Sequence, residues 1–196
     1  LTNDGGTMRM TKVDTLATYM GTKIGGGLEF IASTDASGSA ALAFTGFDSS
    51  KYDSYEFTFA NILPATDDVY LQARASVDGG SNYLSASDSY TILRTVDVSD
   101  GDSTAIYHGY QGIGNAASDA GFSGACNIFS PQLNVPTYIQ FSGIVTLANG
   151  VVGTYTNDNY GCGKTKVATI VNAIQFLMSS GNIASGTITM YGKVNS

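Results

Sequence analysis

The chain has 196 residues, of which 24 are glycine, 12 tyrosine and only three proline, and its formal net charge is −7. Because an acidic surface repels phosphate groups, we exclude nucleic acid and anionic membrane surfaces as expected partners. The sequence contains no apolar run of about 18 residues, the length that a membrane-spanning helix needs, so no membrane insertion is expected. Abundant glycine and tyrosine with little charge are typical of short strands joined by tight turns, which predicts one all-β domain.

The first 27 residues differ in pattern from the rest of the chain. Val13, Leu16 and Met20 recur at helical spacing, and Gly21 ends the pattern. This predicts a short helix followed by a glycine linker, together forming an N-terminal arm over residues 1–27. Because so short a helix cannot bury an apolar stripe alone, these three side chains should pack on the chain's own sandwich or on a neighbouring subunit, and we favour the neighbouring subunit. We also expect a segment upstream of Leu1.

The hydrophobic pattern changes at residue 28, where apolar residues begin to alternate with polar ones. Tyr55, Phe57 and Phe59 alternate with polar neighbours, as expected for a strand with one buried face. The most regular alternation covers residues 69–77, and Gly79 and Gly80 predict a hairpin turn after it.

Shorter runs of the same kind continue to the end of the chain. Further strands are predicted at residues 28–32, 40–44, 89–96, 105–110, 121–129, 138–148, 151–155, 167–178 and 187–194, and loops at 76–89, 97–103 and 157–164. About ten strands with frequent turns predict two packed antiparallel sheets. We therefore expect a β-sandwich of jelly-roll type over residues 28–196, with a closed barrel as the alternative.

The last two strands carry the clearest turn signal. Ile174 and Phe176 fall on one face of the first arm, and Ile188 and Met190 fall on one face of the second. Residues 179–186 join the arms and contain the glycines and asparagine that tolerate a positive φ. The pattern predicts a β-hairpin.

Few residues of this chain offer catalytic chemistry. His108 is the single histidine and no Gly-x-Ser-x-Gly motif surrounds a serine, so a structural or surface histidine is expected. Glu29 follows a glycine linker and Glu56 lies on the polar face of a strand, which predicts solvated positions rather than paired catalytic acids. We therefore expect no enzyme and no cofactor.

Two other groupings bear on metal binding and redox chemistry. Cys126 and Cys162 do not form a metal site by themselves, and either one disulfide bridge or two free thiols fits their setting. Residues 97–102 place aspartates around a glycine, which fits a Ca²⁺ ion or a plain acidic turn. The spacing departs from the EF-hand loop, so no metal is predicted.

Two segments, residues 107–111 and 155–160, combine tyrosine with polar side chains. Proteins bind sugars with aromatic rings that cover C–H faces and with polar groups that bond the hydroxyls. The glycan-binding candidates are therefore Tyr107, Tyr110, Tyr155, Asn157, Asp158 and Tyr160. The alternative, in which tyrosines cover sheet edges and polar residues fill turns, stays open.

Three passages of the chain resemble sequences of one group of proteins. The first combines residues 28–35, 43–48 and 52–57, the second residues 62–69, 71–74 and 76–83, and the third residues 179–192. Together they resemble structural proteins of tailed-bacteriophage virions, especially those of marine phages. Residues 4–13 are similar to the joint that precedes the terminal domain in phage fibre and appendage proteins.

The resemblance implies a non-enzymatic role in a virion, assembled in the host cytoplasm and extracellular in the mature particle. The expected role is the distal domain of a tail fibre or appendage that contacts host surface glycan. The implied partners are copies of the chain itself, as a homotrimer, and other virion proteins. A capsid decoration or cement protein is one alternative, and a secreted carbohydrate-binding module is another. No catalytic or ligand residue comes with the resemblance.

Overall fold

The computed structural model describes residues 2–4, 7–9, 27–94, 101–108, 112–116, 120–146 and 156–194. The described residues contain no helix, and their strands are β1 Thr2–Asp4, β2 Thr7–Arg9, β3 Leu28–Asp35, β4 Leu42–Phe44, β5 Tyr52–Pro64, β6 Leu71–Ser76, β7 Tyr90–Arg94, β8 Gly101–Ser103, β9 Ile106–Tyr107, β10 Phe122–Phe129, β11 Tyr138–Thr146, β12 Thr156–Thr165, β13 Ala173–Met178 and β14 Ile183–Val194. The predicted helix with Val13, Leu16 and Met20 lies outside the described residues, as does the predicted strand 151–155.

Two antiparallel sheets build the domain. The large sheet has eight strands in the order β3-β14-β5-β10-β11-β12-β7-β8, and the small sheet has four in the order β4-β13-β6-β9. Among the described strands, β1 and β2 pair with each other alone. The chain passes from one sheet to the other at most connections, as in jelly-roll sandwiches. The predicted all-β sandwich is confirmed, and the described strands form two sheets rather than one closed barrel.

The core between the sheets is centred on Phe176. Its ring centroid lies 5.0 Å from those of Phe57 and Phe59, 6.1 Å from that of Phe44 and 6.2 Å from that of Phe141. Alternation along each strand sends these rings inward from both sheets, where they meet edge to face. The residues with the clearest period of two therefore form the interior.

The last two strands do not form the predicted hairpin. Strand β13 pairs with β4 and β6 in the small sheet, whereas β14 pairs with β3 and β5 in the large sheet. Both arms bury their apolar faces, so Phe176 and Ile188 face the core from opposite sheets. The turn is anchored elsewhere, because the Ser179 N–H donates to the Tyr70 carbonyl and the Ala65 N–H donates to the Asn182 carbonyl.

The predicted hairpin after residue 77 is also wrong. Gly79 and Gly80 do take positive φ, but β6 pairs with β13 and β9, and β7 lies in the other sheet. The turn is held by the Asp78 carboxylate, which accepts hydrogen bonds from the Asn82 backbone and side chain and from the Ser76 hydroxyl. These bonds, chiefly that from the Asn82 side chain, lower the pKa of Asp78 to about 2.

Residues 157–164, predicted as a loop, belong to strand β12. The strand pairs with β11 along its whole length and with β7 over residues 161–165. Gly161 and Gly163 misled the prediction, since glycine is uncommon in strands. An added Cβ at Gly161 would overlap the Tyr107 carbonyl oxygen, so glycine here lets β9 approach the large sheet closely.

We expect Gly161→Ala to destabilise the domain by about 1–3 kcal/mol, because the new methyl group must displace the backbone of β9. The matched control is Gly27→Ala, since nothing lies within 4 Å of a Cβ built at Gly27. Urea unfolding of both variants measures the difference. Equal midpoints for the two variants would contradict the packing described here.

Candidate functional site

The outward side chains of the large sheet form continuous rows across its strands. One row, which we call the outer row, takes one residue from each of the strands β14, β5, β10, β11, β12 and β7, each opposite the next. Its members are Lys193, Ser54, Phe129, Tyr138, Lys164 and Thr91. The register therefore places two aromatic rings side by side, with Lys164 directly beside Tyr138 and Lys193 two strands from Phe129.

Several aromatic side chains on this face are exposed. Phe129 is 43% exposed and Tyr138 is 58% exposed, and Tyr160, further along β12, is 53% exposed. Scattered surface apolar groups are normal, but adjacent exposed rings on one sheet face mark a surface suited to a ligand or partner.

A groove of about 520 Å³ follows the outer row. The rings of Phe129 and Tyr138 line it together with Gln140, Lys164 and Thr91. An aromatic floor with an amide, a hydroxyl and an ammonium group around it can cover the C–H face of a sugar and bond its hydroxyls.

A second groove of about 300 Å³ adjoins the first. Its lining includes Ser54, Glu56, Asn127 and Lys193, and it shares Phe129 with the larger groove. The two grooves thus form one track along the outer row, with the Phe129 ring between them. An elongated ligand fits this shape better than a compact one.

The predicted glycan-binding residues fall in different places. Tyr160 lies on the outer face of the large sheet, where it pairs with Ser142. Tyr107 is half-buried on β9 in the small sheet, with its ring edge-on to Tyr70 at 6.0 Å. The structure therefore does not bring Tyr107 and Tyr160 to one surface.

The remaining candidates are described only in part or not at all. Asn157 and Asp158 lie on β12, opposite Val145 and Ile144 of β11, and their side chains lie outside the described residues. Tyr110 and Tyr155 also lie outside the described residues.

Sequence reasoning missed the residues that line the larger groove. Tyr138 and Gln140 alternate with the buried Ile139 and Phe141, so they were assigned to a strand but not to a binding surface. Lys164 was placed in a loop. The signal that could have found them is the exposed position of an aromatic residue on the polar face of a strand.

His108 is a buried structural residue. The Leu71 N–H donates to its Nδ1 at 3.2 Å, and its ring centroid lies 5.1 Å from that of Phe122. Burial lowers the pKa of His108 to about 4, so the imidazole is neutral at physiological pH. Its Nε2 has no hydrogen-bond partner among the described residues.

The two cysteines are free thiols. Cys126 of β10 faces the core, whereas Cys162 of β12 lines the groove on the outer face. Since β11 lies between the two strands, their backbones are about 10 Å apart, beyond the reach of a disulfide. The alternative of a bridge is therefore wrong.

The described part of the chain contains no group of three or more histidine, cysteine, aspartate or glutamate side chains that could hold a metal ion. Of the acidic turn at residues 97–102, only the last two residues are described. There the Asp102 carboxylate accepts a hydrogen bond from the Lys166 ammonium at 2.8 Å. The calcium alternative thus lies mainly outside the described residues.

One end of the sandwich carries a second exposed surface, formed by the β10–β11 and β12–β13 loops. The Val171 N–H donates to the Pro131 carbonyl, which holds the two loops together. We call this surface the apolar end, and its exposed side chains are Leu133, Val135, Val167 and Ile170.

No protein-family model, curated protein or solved structure matches this chain. Within the described ranges, no helix has the length and apolar character needed to cross a membrane. The binding chemistry of the outer face is therefore inferred from its own side chains.

Proposed function

We propose that this chain is a non-enzymatic structural protein of a tailed-phage virion, and that its sandwich contacts host surface glycan through the outer row. The groove beside Phe129 and Tyr138 carries the proposal, because it combines exposed rings with amide and hydroxyl groups. The resemblance of several passages within residues 28–83, and of residues 179–192, to virion proteins supports a structural role in the particle.

The proposal includes assembly as a homotrimer in the virion. A shallow groove on a sheet face makes few contacts with one sugar chain, so each copy binds weakly. Several copies that engage one cell surface together convert weak contacts into firm attachment. A role at the distal end of a fibre or appendage satisfies this requirement.

We expect the double variant Phe129→Ala and Tyr138→Ala to weaken glycan binding by roughly 30-fold, because each lost ring removes a stacking surface worth about 1 kcal/mol. Binding of the purified chain to arrayed bacterial surface oligosaccharides measures the effect. The control is Phe30→Ala, since Phe30 is 60% exposed on β3 at the far edge of the same sheet. If the double variant binds as the unmodified chain does, the outer row is not the glycan site.

A capsid decoration protein is the second candidate, and the apolar end favours it. Exposed aliphatic side chains from two adjoining loops are typical of protein–protein contacts. Imaging of the particle distinguishes the two roles, because a fibre tip holds few copies at one place whereas a decoration protein covers the capsid lattice.

A further inference from the structure

We infer that the groove beside Tyr138 binds a saccharide unit that carries a carboxylate, and that the Lys164 ammonium is its partner. The inference rests on the proposed function and names the ligand class of the same site. The occupant is an acidic glycan, such as a hexuronate oligosaccharide, and not a neutral one.

The first step is the position of Lys164. The register places it between Tyr138 of β11 and Thr91 of β7, on the wall of the groove. The side chain is half-buried, so its aliphatic stem packs against the sheet while its ammonium group stays accessible to a ligand in the groove.

The second step is the absence of an internal partner. Among the described side chains, Lys51 is paired with Glu29 and Lys166 with Asp102, whereas Lys164 has no ion pair. The two lysines that have a carboxylate within reach form ion pairs within the chain. Lys164 is left available to a ligand.

The third step is the local charge. The described carboxylates nearest to Lys164 along the rows are those of Asp102 and Glu56. Asp102 lies two strands from Lys164 and is already paired with Lys166. Glu56 lies three strands from Lys164, at about 14 Å. The groups around the groove are otherwise neutral. In a chain of net charge −7, this site is therefore a local positive region that favours an anion.

The fourth step is the match to a sugar acid. A carboxylate can accept a hydrogen bond from the Lys164 ammonium, and the Thr91 hydroxyl and the Gln140 amide, which line the same groove, can bond ring hydroxyls. The exposed Tyr138 ring offers a flat surface for the C–H face of the same unit. The groove thus combines a charge contact with the stacking and hydrogen bonds that distinguish a sugar from a simple anion.

The test is titration calorimetry of the purified chain with a hexuronate oligosaccharide and with its carboxyl-reduced counterpart. We expect the acidic form to bind roughly three- to fivefold more tightly at low salt, since a partly exposed ion pair contributes modestly. The preference should disappear in Lys164→Gln and shrink as salt rises. Lys51→Gln is the matched control, because that lysine is paired with Glu29 at the far edge of the sheet and should leave the preference unchanged.

Equal affinity for the two oligosaccharides, or a preference that survives Lys164→Gln, would overturn the inference while leaving glycan binding through the outer row intact. If neither oligosaccharide binds but neutral surface glycans on the array do, the inference also fails and the proposed function stands. If no glycan of any kind binds, the proposed function itself fails, and the inference fails with it.

Discussion

Replacing Phe176 by alanine is expected to destabilise the protein by about 3–5 kcal/mol, the cost of removing a large buried ring and leaving a cavity. Phe176 is fully buried, and its ring lies within 6.2 Å of four other phenylalanine rings, measured between centroids. Because it reaches from the small sheet to Phe57, Phe59 and Phe141 on the large sheet, the substitution weakens the contact between the two layers. Urea unfolding followed by circular dichroism measures the change.

The matched control is Phe30→Ala, the same chemical change at an exposed position. Phe30 is 60% exposed and meets only the Tyr191 ring among the described aromatic pairs, at 6.2 Å. Its replacement should cost less than about 1 kcal/mol. Similar losses for the two variants would mean that Phe176 is not the centre of the core.

The position of the strands could be predicted from sequence because alternation is a local property. Tyr55, Phe57 and Phe59 were predicted to share a buried face of a strand, and all three are buried on β5. A strand with one buried face needs only an apolar residue at every second position. Its position can therefore be predicted without knowing which strands pair with it.

The pairing of the strands could not be predicted in the same way. Residues 179–182 have the glycine and asparagine of a hairpin turn, yet they connect β13 in the small sheet with β14 in the large sheet. A tight turn with positive φ can reverse the chain within one sheet or carry it across to the other. Two hydrogen bonds decide between these outcomes, one from the Ser179 N–H to the Tyr70 carbonyl and one from the Ala65 N–H to the Asn182 carbonyl. A local sequence pattern does not show such contacts.

Most of the candidate site could not be predicted from the sequence for the same reason, because it depends on which strands pair. Tyr138, Lys164 and Thr91 are far apart in the chain and become neighbours only through the register of three strands. In addition, β12 was predicted to be a loop because it contains Gly161 and Gly163. These glycines are present because a neighbouring backbone lies too close for a side chain. Tyr160 alone was predicted for glycan binding and has a side chain described on the outer face.

Lowering the pH from about 6.5 to about 4 is expected to remove about 3 kcal/mol of stability through His108 alone. The folded protein holds this imidazole neutral, with a pKa lowered to about 4 by burial, whereas the unfolded chain has the ordinary value of 6.5. Between these values the unfolded state binds a proton that the folded state does not, so acid favours unfolding. The contribution of His108 to the free energy of unfolding is complete above pH 6.5 and is lost as the pH falls towards 4.

Urea unfolding at several pH values, with His108→Gln as the comparison, tests this expectation. The variant should lack the decline in the free energy of unfolding that His108 causes between pH 6.5 and pH 4, whatever its absolute stability, because glutamine does not titrate. The lowered pKa values of Asp48 and Asp78 act mainly below pH 3.8 and so add little in this window. His108 is the only histidine, so its proton resonances give the folded pKa directly. A folded pKa near 6.5, or parallel declines in the two proteins, would contradict the burial of a neutral imidazole against Phe122.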